Sequence, residues 1–287
     1  MLQTSITNDS KPQLLFCSQD NRIQKKSFGI CRQKGVFVSL KKKNIMTSIT
    51  QVLTFPLRFL DFLGFEEHVR GMRKTRNFSE EETEKFLSLW RSEIAYYELA
   101  LSKRQVYEHD QKIPLPSFVK MPDYEFELGC LLNKNTELNM SESEAELFFK
   151  NHCDLTLLND LSARDFQEKD RALGMGVSRS KGILGKVIGP IFVPSLSLDL
   201  SKMKLTLKVN HEIRTQTIYS ACTWTFPKII SRLSHQNILL EAGTLLGSGT
   251  IGGGSIAEHG GKYPWLKSGD LIEMEAEGIG VLRNRIA

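Results

Sequence analysis

The chain has 287 residues, 40% hydrophobic and 25% charged, which falls in the ordinary globular range and allows one large core plus a small appendage. No run reaches the roughly 18 uninterrupted apolar residues of a membrane helix, and the most apolar early segment, 52–65, is broken by Pro56, Arg58 and Asp61. The formal charge of +5 is uneven: residues 1–45 carry nine Lys/Arg against Asp9 and Asp20, a net of +7, leaving 29 basic and 31 acidic residues, or −2, for the rest. The body therefore lacks the basic excess that nucleic-acid binding uses.

Five cysteines, Cys17, Cys31, Cys130, Cys153 and Cys222, lie far apart with no C-x-x-C pair. That spacing speaks against a disulfide framework and against a thiolate zinc site, and it suits a reducing, cytoplasmic setting. In chain order, residues 13–40 alternate short apolar runs with polar turns, the pattern of a small β-meander. The same basic 1–45 segment also suits a targeting segment, or an extension ahead of a start at Met46, with 46–287 as the principal domain.

Ser79-Glu80-Glu81-Glu82 is a capping box, followed at helical spacing by Phe86, Leu87, Trp90, Ile94 and Tyr97, which read as core. Ser141-Glu142-Ser143-Glu144 opens a second helix through Phe149, and Leu155 to Leu158 then read as a strand ending at Asn159-Asp160. Leu205, Leu207 and Val209 alternate towards an Asn210-His211 turn, the pattern of a hairpin. Pro227 introduces a short helix, and 271–286 is strand-like. No βαβαβ rhythm is present, so the class is α+β with β in the majority and a few peripheral helices.

Glu125-Phe126-Glu127 lies in an extended run, where period two points both carboxylates to one face. Alone, such a pair is more often a solvent-facing edge than a metal site. Asp160 ends an apolar strand and Asp61 sits among Phe59, Leu60, Phe62 and Leu63, so both are acids in sequence that otherwise reads as buried. An all-oxygen set of this kind selects Mg²⁺, Mn²⁺ or Ca²⁺. His68, seven residues after Asp61, reads by itself as a packed, hydrogen-bonded histidine. Gly247-Ser-Gly249-Thr-Ile-Gly252 matches G-x-G-x-x-G formally, but the following Gly253-Gly254-Ser255 and Pro264 cannot form the helix a dinucleotide fold requires. The glycines instead permit close backbone approach to a ligand, with the Ser248 and Thr250 hydroxyls facing a site.

Four pieces in this order resemble the fumarylacetoacetate hydrolase family: Asp61-Phe62 with His68; Tyr124-Glu125-Phe126-Glu127-Leu128; Asn159-Asp160-Leu161-Ser162-Ala163-Arg164-Asp165-Phe166-Gln167; and Gly247-Ser248-Gly249-Thr250 followed by Glu258 and Lys267-Ser268-Gly269-Asp270. The resemblance spans about 59–286 and implies that family's mixed β-sandwich roll. It implies that Asp61, Glu125, Glu127 and Asp160 hold a divalent cation, Mg²⁺ or alternatively Mn²⁺ or Ca²⁺, on which the substrate's neighbouring oxygens chelate. It further implies that His68 is a general base oriented by Glu258, that Lys181, with Lys186 as a rival, is the active-site lysine, and that Arg164, Gln167 and Thr250 contact the substrate.

The family's activity is hydrolysis of a carbon–carbon bond in a small β-diketo acid, commonly by a homodimer, and relatives decarboxylate, isomerise or dehydrate 2-oxo acids on the same cradle. Leu63 and Leu161 stand where the family's full hydrolases tend to carry tyrosine and tryptophan. The expected substrate is therefore acylpyruvate-like rather than fumarylacetoacetate itself. A non-catalytic protein on this fold, docking through its basic first segment, is the alternative from another class.

Overall fold

A computed structural model describes residues 52–287. The β-meander expected over 13–40, and every reading of the 1–45 segment, lie outside the described residues. The fold is mixed α+β with curled sheets, as the sequence implied. No helix among the described residues is long and apolar enough to cross a membrane.

The helices are α1 (Glu66–Thr75), α2 (Glu80–Ser92), α3 (Glu142–His152), α4 (Arg164–Ala172), α5 (Ser178–Gly182) and α6 (Phe226–His235). Both capping boxes form: Ser79 Oγ accepts from Glu82 N at 3.1 Å while Glu82 accepts from Ser79 N at 2.7 Å, and Ser141 and Glu144 repeat the exchange. The helix from Ser79 is shorter than its apolar stripe suggested. It stops at Ser92, and Tyr97 leaves it for the strand Tyr96–Leu101, which pairs antiparallel with Leu57–Phe62. Helix α1 was not foreseen, although Glu66 and Glu67 in its first turn and Arg73 and Lys74 in its last complement the helix dipole.

The hairpin Lys204–Val209/Glu212–Ile218 turns at Asn210 and His211, with φ of 51° and 69°, the left-handed pair a tight two-residue turn needs. The terminal strand-like stretch is in fact two strands, Leu271–Ala276 and Gly280–Ile286, paired antiparallel.

An eight-stranded sheet runs Tyr96–Leu101, Leu57–Phe62, Leu245–Gly247, Phe126–Leu132, Cys153–Asn159, Lys186–Ile188, Val106–Tyr107, with Val193–Pro194 also on Cys153–Asn159. A five-stranded sheet is built around Lys204–Val209 and Leu271–Ala276. The larger core joins Leu60, Leu128, Leu157 and Leu246 to Leu205, Leu207 and Met274 of the second sheet and to Phe149, Phe226 and Ile230 of α3 and α6. Each such side chain, fully buried, contributes roughly 1.5–3 kcal/mol.

The other face of the eight-stranded sheet encloses its own smaller core of Leu57, Phe59, Leu101, Leu131, Leu158, Ile188 and Leu245. Register extends that face upward. Asp61 stands opposite Tyr97 and Gly247, Gly247 opposite Gly129, Glu127 opposite Leu158, and Lys186 opposite Val106. Alternation therefore delivers Asp61, Glu127, Tyr97 and Lys186 to one end of an apolar interior.

Candidate functional site

Asp61, Glu127 and Asp160 each offer an oxygen within 4.8 Å of the others. They come from two strands, and Asp160 from just beyond the end of a third; they are 5%, 0% and 0% exposed. Burial, and then the neighbouring Asp160, push the Asp61 carboxyl up to about 7. Burial and the charges of Asp61 and Asp160 drive Glu127 well above the usual carboxylate range. Carboxylates placed this way need a proton or a cation between them.

Two features fit a cation. Asp61 Oδ1 is buried without a hydrogen-bond partner. Gly247 leaves open the space where a Cβ would lie 2.7 Å from Glu127 Oε2 and closer still to Asp61 Oδ1. Oxygen-only donors of this kind suit a hard divalent ion such as Mg²⁺, Mn²⁺ or Ca²⁺.

Glu125 and Glu127, read as a pair on one face, take different partners in the structure. Glu125 precedes the strand Phe126–Leu132, and its carboxylate accepts from Arg164 Nη2 at 2.5 Å, from Ser162 Oγ at 3.2 Å and from Lys181 Nζ. Burial pushes Glu125 up, but Arg164 and Lys181 more than offset it and hold the group well below its ordinary value. It therefore borders the three-carboxylate group, sharing the Lys181 ammonium with Asp160.

Lys181 Nζ also donates to Asp160 Oδ2 at 2.6 Å. Burial lowers the Lys181 pKa, and Asp160 and Glu125 reverse that to a net rise. The two lysines are not rivals for one place: Lys186 ion-pairs the other oxygen of Asp160.

Arg164, expected to donate to substrate, is committed to the protein. Its Nε donates to Asp123 Oδ2 at 2.8 Å and its Nη1 to Gln167 Oε1 at 3.0 Å, besides the bond to Glu125. Gln167 Oε1 also accepts from Arg171 at 2.7 Å, so only the amide NH₂ of Gln167 is left to donate outward. Asp123, which the sequence reading passed over, accepts from Ile256 N at 2.7 Å and Ala257 N at 3.1 Å, tying Arg164 to the loop that carries Glu258.

His68, buried on α1, places Nδ1 2.9 Å from Glu258 Oε2, close but poorly aligned as a hydrogen bond. Glu258 is fixed by Gly253 N at 2.8 Å, Ser255 N at 3.1 Å and Ser255 Oγ at 2.9 Å. Burial raises its pKa, while His68 and these donors bring it below the ordinary value. Gly71, one turn after His68, keeps the same face open for it: a Cβ there would meet Glu258 Cγ at 3.2 Å.

One loop links the imidazole–carboxylate pair to the acids. Gly249 N donates to Glu127 Oε2 at 3.2 Å and Thr250 Oγ1 to Glu127 Oε1 at 3.4 Å, while Phe126 N donates to Gly254 O. Gly249, at φ 79°, is pressed against the Phe62 and Gly64 backbone, where no side chain fits. Thr250, expected at a substrate carboxylate, thus touches Glu127, and Ser248 serves the backbone: its Oγ accepts from Leu128 N and donates to Gly249 O.

Fold and site together define a mixed α+β protein with a buried carboxylate group able to hold a hard cation beside an imidazole–carboxylate pair. The family model for the fumarylacetoacetate (FAA) hydrolase C-terminal domain matches residues 59–287, and the chain belongs to that family. Over 175 residues it is 33% identical to an uncharacterized protein of Pyrococcus abyssi, covering 61% of this chain and 72% of that one. Over 174 residues it is 30% identical to the mitochondrial oxaloacetate tautomerase FAHD1 of Mus musculus, covering 60% and 72%. The fumarylpyruvate hydrolase from Pseudomonas aeruginosa, in complex with Mn²⁺ and pyruvate, shares the fold at a TM-score of 0.62 and 20% identity, over 82% of this chain and 91% of that one.

Proposed function

We propose that this chain is a divalent-metal-dependent hydrolase of a small acylpyruvate-like β-diketo acid. It cleaves the bond between the distal carbonyl carbon and the methylene that separates the two oxo groups. The observation that carries the reading is the buried group Asp61, Glu127 and Asp160, joined through one loop to His68 and Glu258.

A divalent cation held by the three carboxylates supplies Lewis-acid polarisation of the 2-oxo group. Glu125, next to Asp160 on Lys181, would complete the acid set around such an ion. His68 takes a proton from water, with Glu258 holding the imidazole and its developing charge. The hydroxide adds to the distal carbonyl carbon, the electron pair of the broken bond passes to the methylene carbon, and that carbon takes the proton that His68 removed from water. The Lys181 ammonium offsets negative charge growing on the substrate oxygens, while the Gln167 NH₂ orients its carboxylate and the Thr250 hydroxyl holds Glu127. Arg164 acts by fixing Glu125 and Gln167.

A second reading is favoured by the relative named an oxaloacetate tautomerase: the same residues move a proton between the methylene carbon and the oxo oxygen, with no water added. Product analysis in D₂¹⁸O separates the two. Hydrolysis yields two acids with ¹⁸O in the newly formed carboxylate; tautomerisation yields the same carbon skeleton with methylene hydrogens exchanged. Intact substrate with neither label, across acylpyruvates and oxo diacids, overturns both. The reading includes a reducing, cytoplasmic setting, which the buried free thiols Cys130, Cys153 and Cys222 suit, and a homodimer, which sedimentation checks.

A further inference from the structure

Lys186 lies on the strand Lys186–Ile188 with no exposed surface. An ammonium removed from water is strongly destabilising unless it is paired and hydrogen-bonded. Its Nζ ion-pairs Asp160 Oδ1, donates to the Lys181 carbonyl, and lies 3.5 Å from the Leu161 carbonyl. The rest of its surroundings are aromatic, with the Phe59 and Tyr97 ring centroids each 5.8 Å away.

Asp160 is thus bracketed by two ammonium groups, Lys181 on Oδ2 and Lys186 on Oδ1. They are built in differently. Lys181 stands on the five-residue helix α5 and divides itself between Asp160 and Glu125. Lys186 is anchored in the sheet, and Asp160 is the one acid it pairs with among the described residues. Four carboxylates, Asp61, Glu125, Glu127 and Asp160, face these two ammonium groups, with Arg164 shared between Glu125 and Asp123.

We propose that Lys186 is the resident counter-cation of the acid cluster: it fixes Asp160 when no divalent cation is bound, and it weakens the cluster's grip on one. The inference rests on the metal reading above. Positive charge beside a cation site opposes the incoming ion, and it does so more strongly in a dry interior than in water. Methionine has the length and apolar stem to replace Lys186 between Phe59 and Tyr97 without the charge.

Calorimetric titration with Mn²⁺ tests this on the wild type, Lys186→Met and Lys186→Arg. Lys186→Met binds Mn²⁺ at least tenfold more tightly than the wild type, and Lys186→Arg stays within threefold of it. With a chelator present, Lys186→Met melts at a lower temperature than the wild type, and Mn²⁺ restores it. A folded Lys186→Met with equal or weaker Mn²⁺ affinity overturns the proposal while leaving the metal reading intact. Wild type that binds no Mn²⁺ overturns both. Should Lys186→Met not fold in chelator, Mn²⁺ must rescue its refolding, and failure of that rescue also overturns the proposal.

Discussion

Alanine at Gly247 would put one methyl group against the oxygens of Asp61 and Glu127. The backbone there is not left-handed, so the effect is steric rather than conformational. A Cβ would lie 2.7 Å from Glu127 Oε2, against the 3.4 Å at which ordinary contact begins, so that carboxylate must retreat by about 3.4 − 2.7 = 0.7 Å and Asp61 by more. Metal-ligand distances tolerate only about 0.2 Å. Divalent-cation affinity should fall at least 100-fold, about 2.8 kcal/mol. The overpacked interior should also lose about 1–3 kcal/mol of stability. Gly129→Ala is the control, because its added methyl would meet Thr156 Cγ2 at 3.0 Å and Leu245 Cδ1 at 3.3 Å, with no carboxylate. Mn²⁺ calorimetry and thermal melts on both variants separate the effects: each loses stability, and only Gly247→Ala loses the ion. Gly247→Ala binding Mn²⁺ within threefold of wild type would refute the reasoning.

Arg164→Met leaves Asp123 and Glu125 buried without their guanidinium, and breaking such a pair costs about 3–5 kcal/mol. Urea unfolding measures it, and a loss below about 1 kcal/mol would show that Arg164 is not the keystone of that network. Glu258→Gln keeps the size of the side chain but removes the charge beside His68. Turnover should fall by about 10²–10⁴ with Mn²⁺ affinity unchanged. An unaltered kcat would remove the imidazole–carboxylate pair from the mechanism.

Features written in a few neighbouring residues were legible in the sequence. The capping boxes at Ser79 and Ser141, the Asn210-His211 turn and the Pro227 helix each carry their own hydrogen-bonding or dihedral logic, and each forms. The stripe from Phe86 to Tyr97 misled because helical spacing continues by coincidence past Ser92, where pairing with Leu57–Phe62 draws Tyr97 into a strand. Helix α1 was hidden by its charge: only His68, Val69 and Met72 are buried.

Within the site, residue types were readable but partnerships were not. Period two put Glu125 and Glu127 together, but nothing local shows that Arg164 and Lys181, distant in sequence, also hold Glu125. Likewise nothing local says that Gly247 lies beside Asp61, or that Lys186 and Lys181 take opposite oxygens of Asp160. Those facts belong to parallel and long-range pairing.

The most direct test of the account follows the ultraviolet absorbance of an acylpyruvate enol with wild type and Asp160→Asn, each with Mn²⁺ and with a chelator. The account predicts loss of absorbance with two carboxylic acids formed by wild type plus Mn²⁺ alone. Equal turnover in chelator, or by Asp160→Asn, would contradict the claim that the buried carboxylates hold the cation on which the reaction depends.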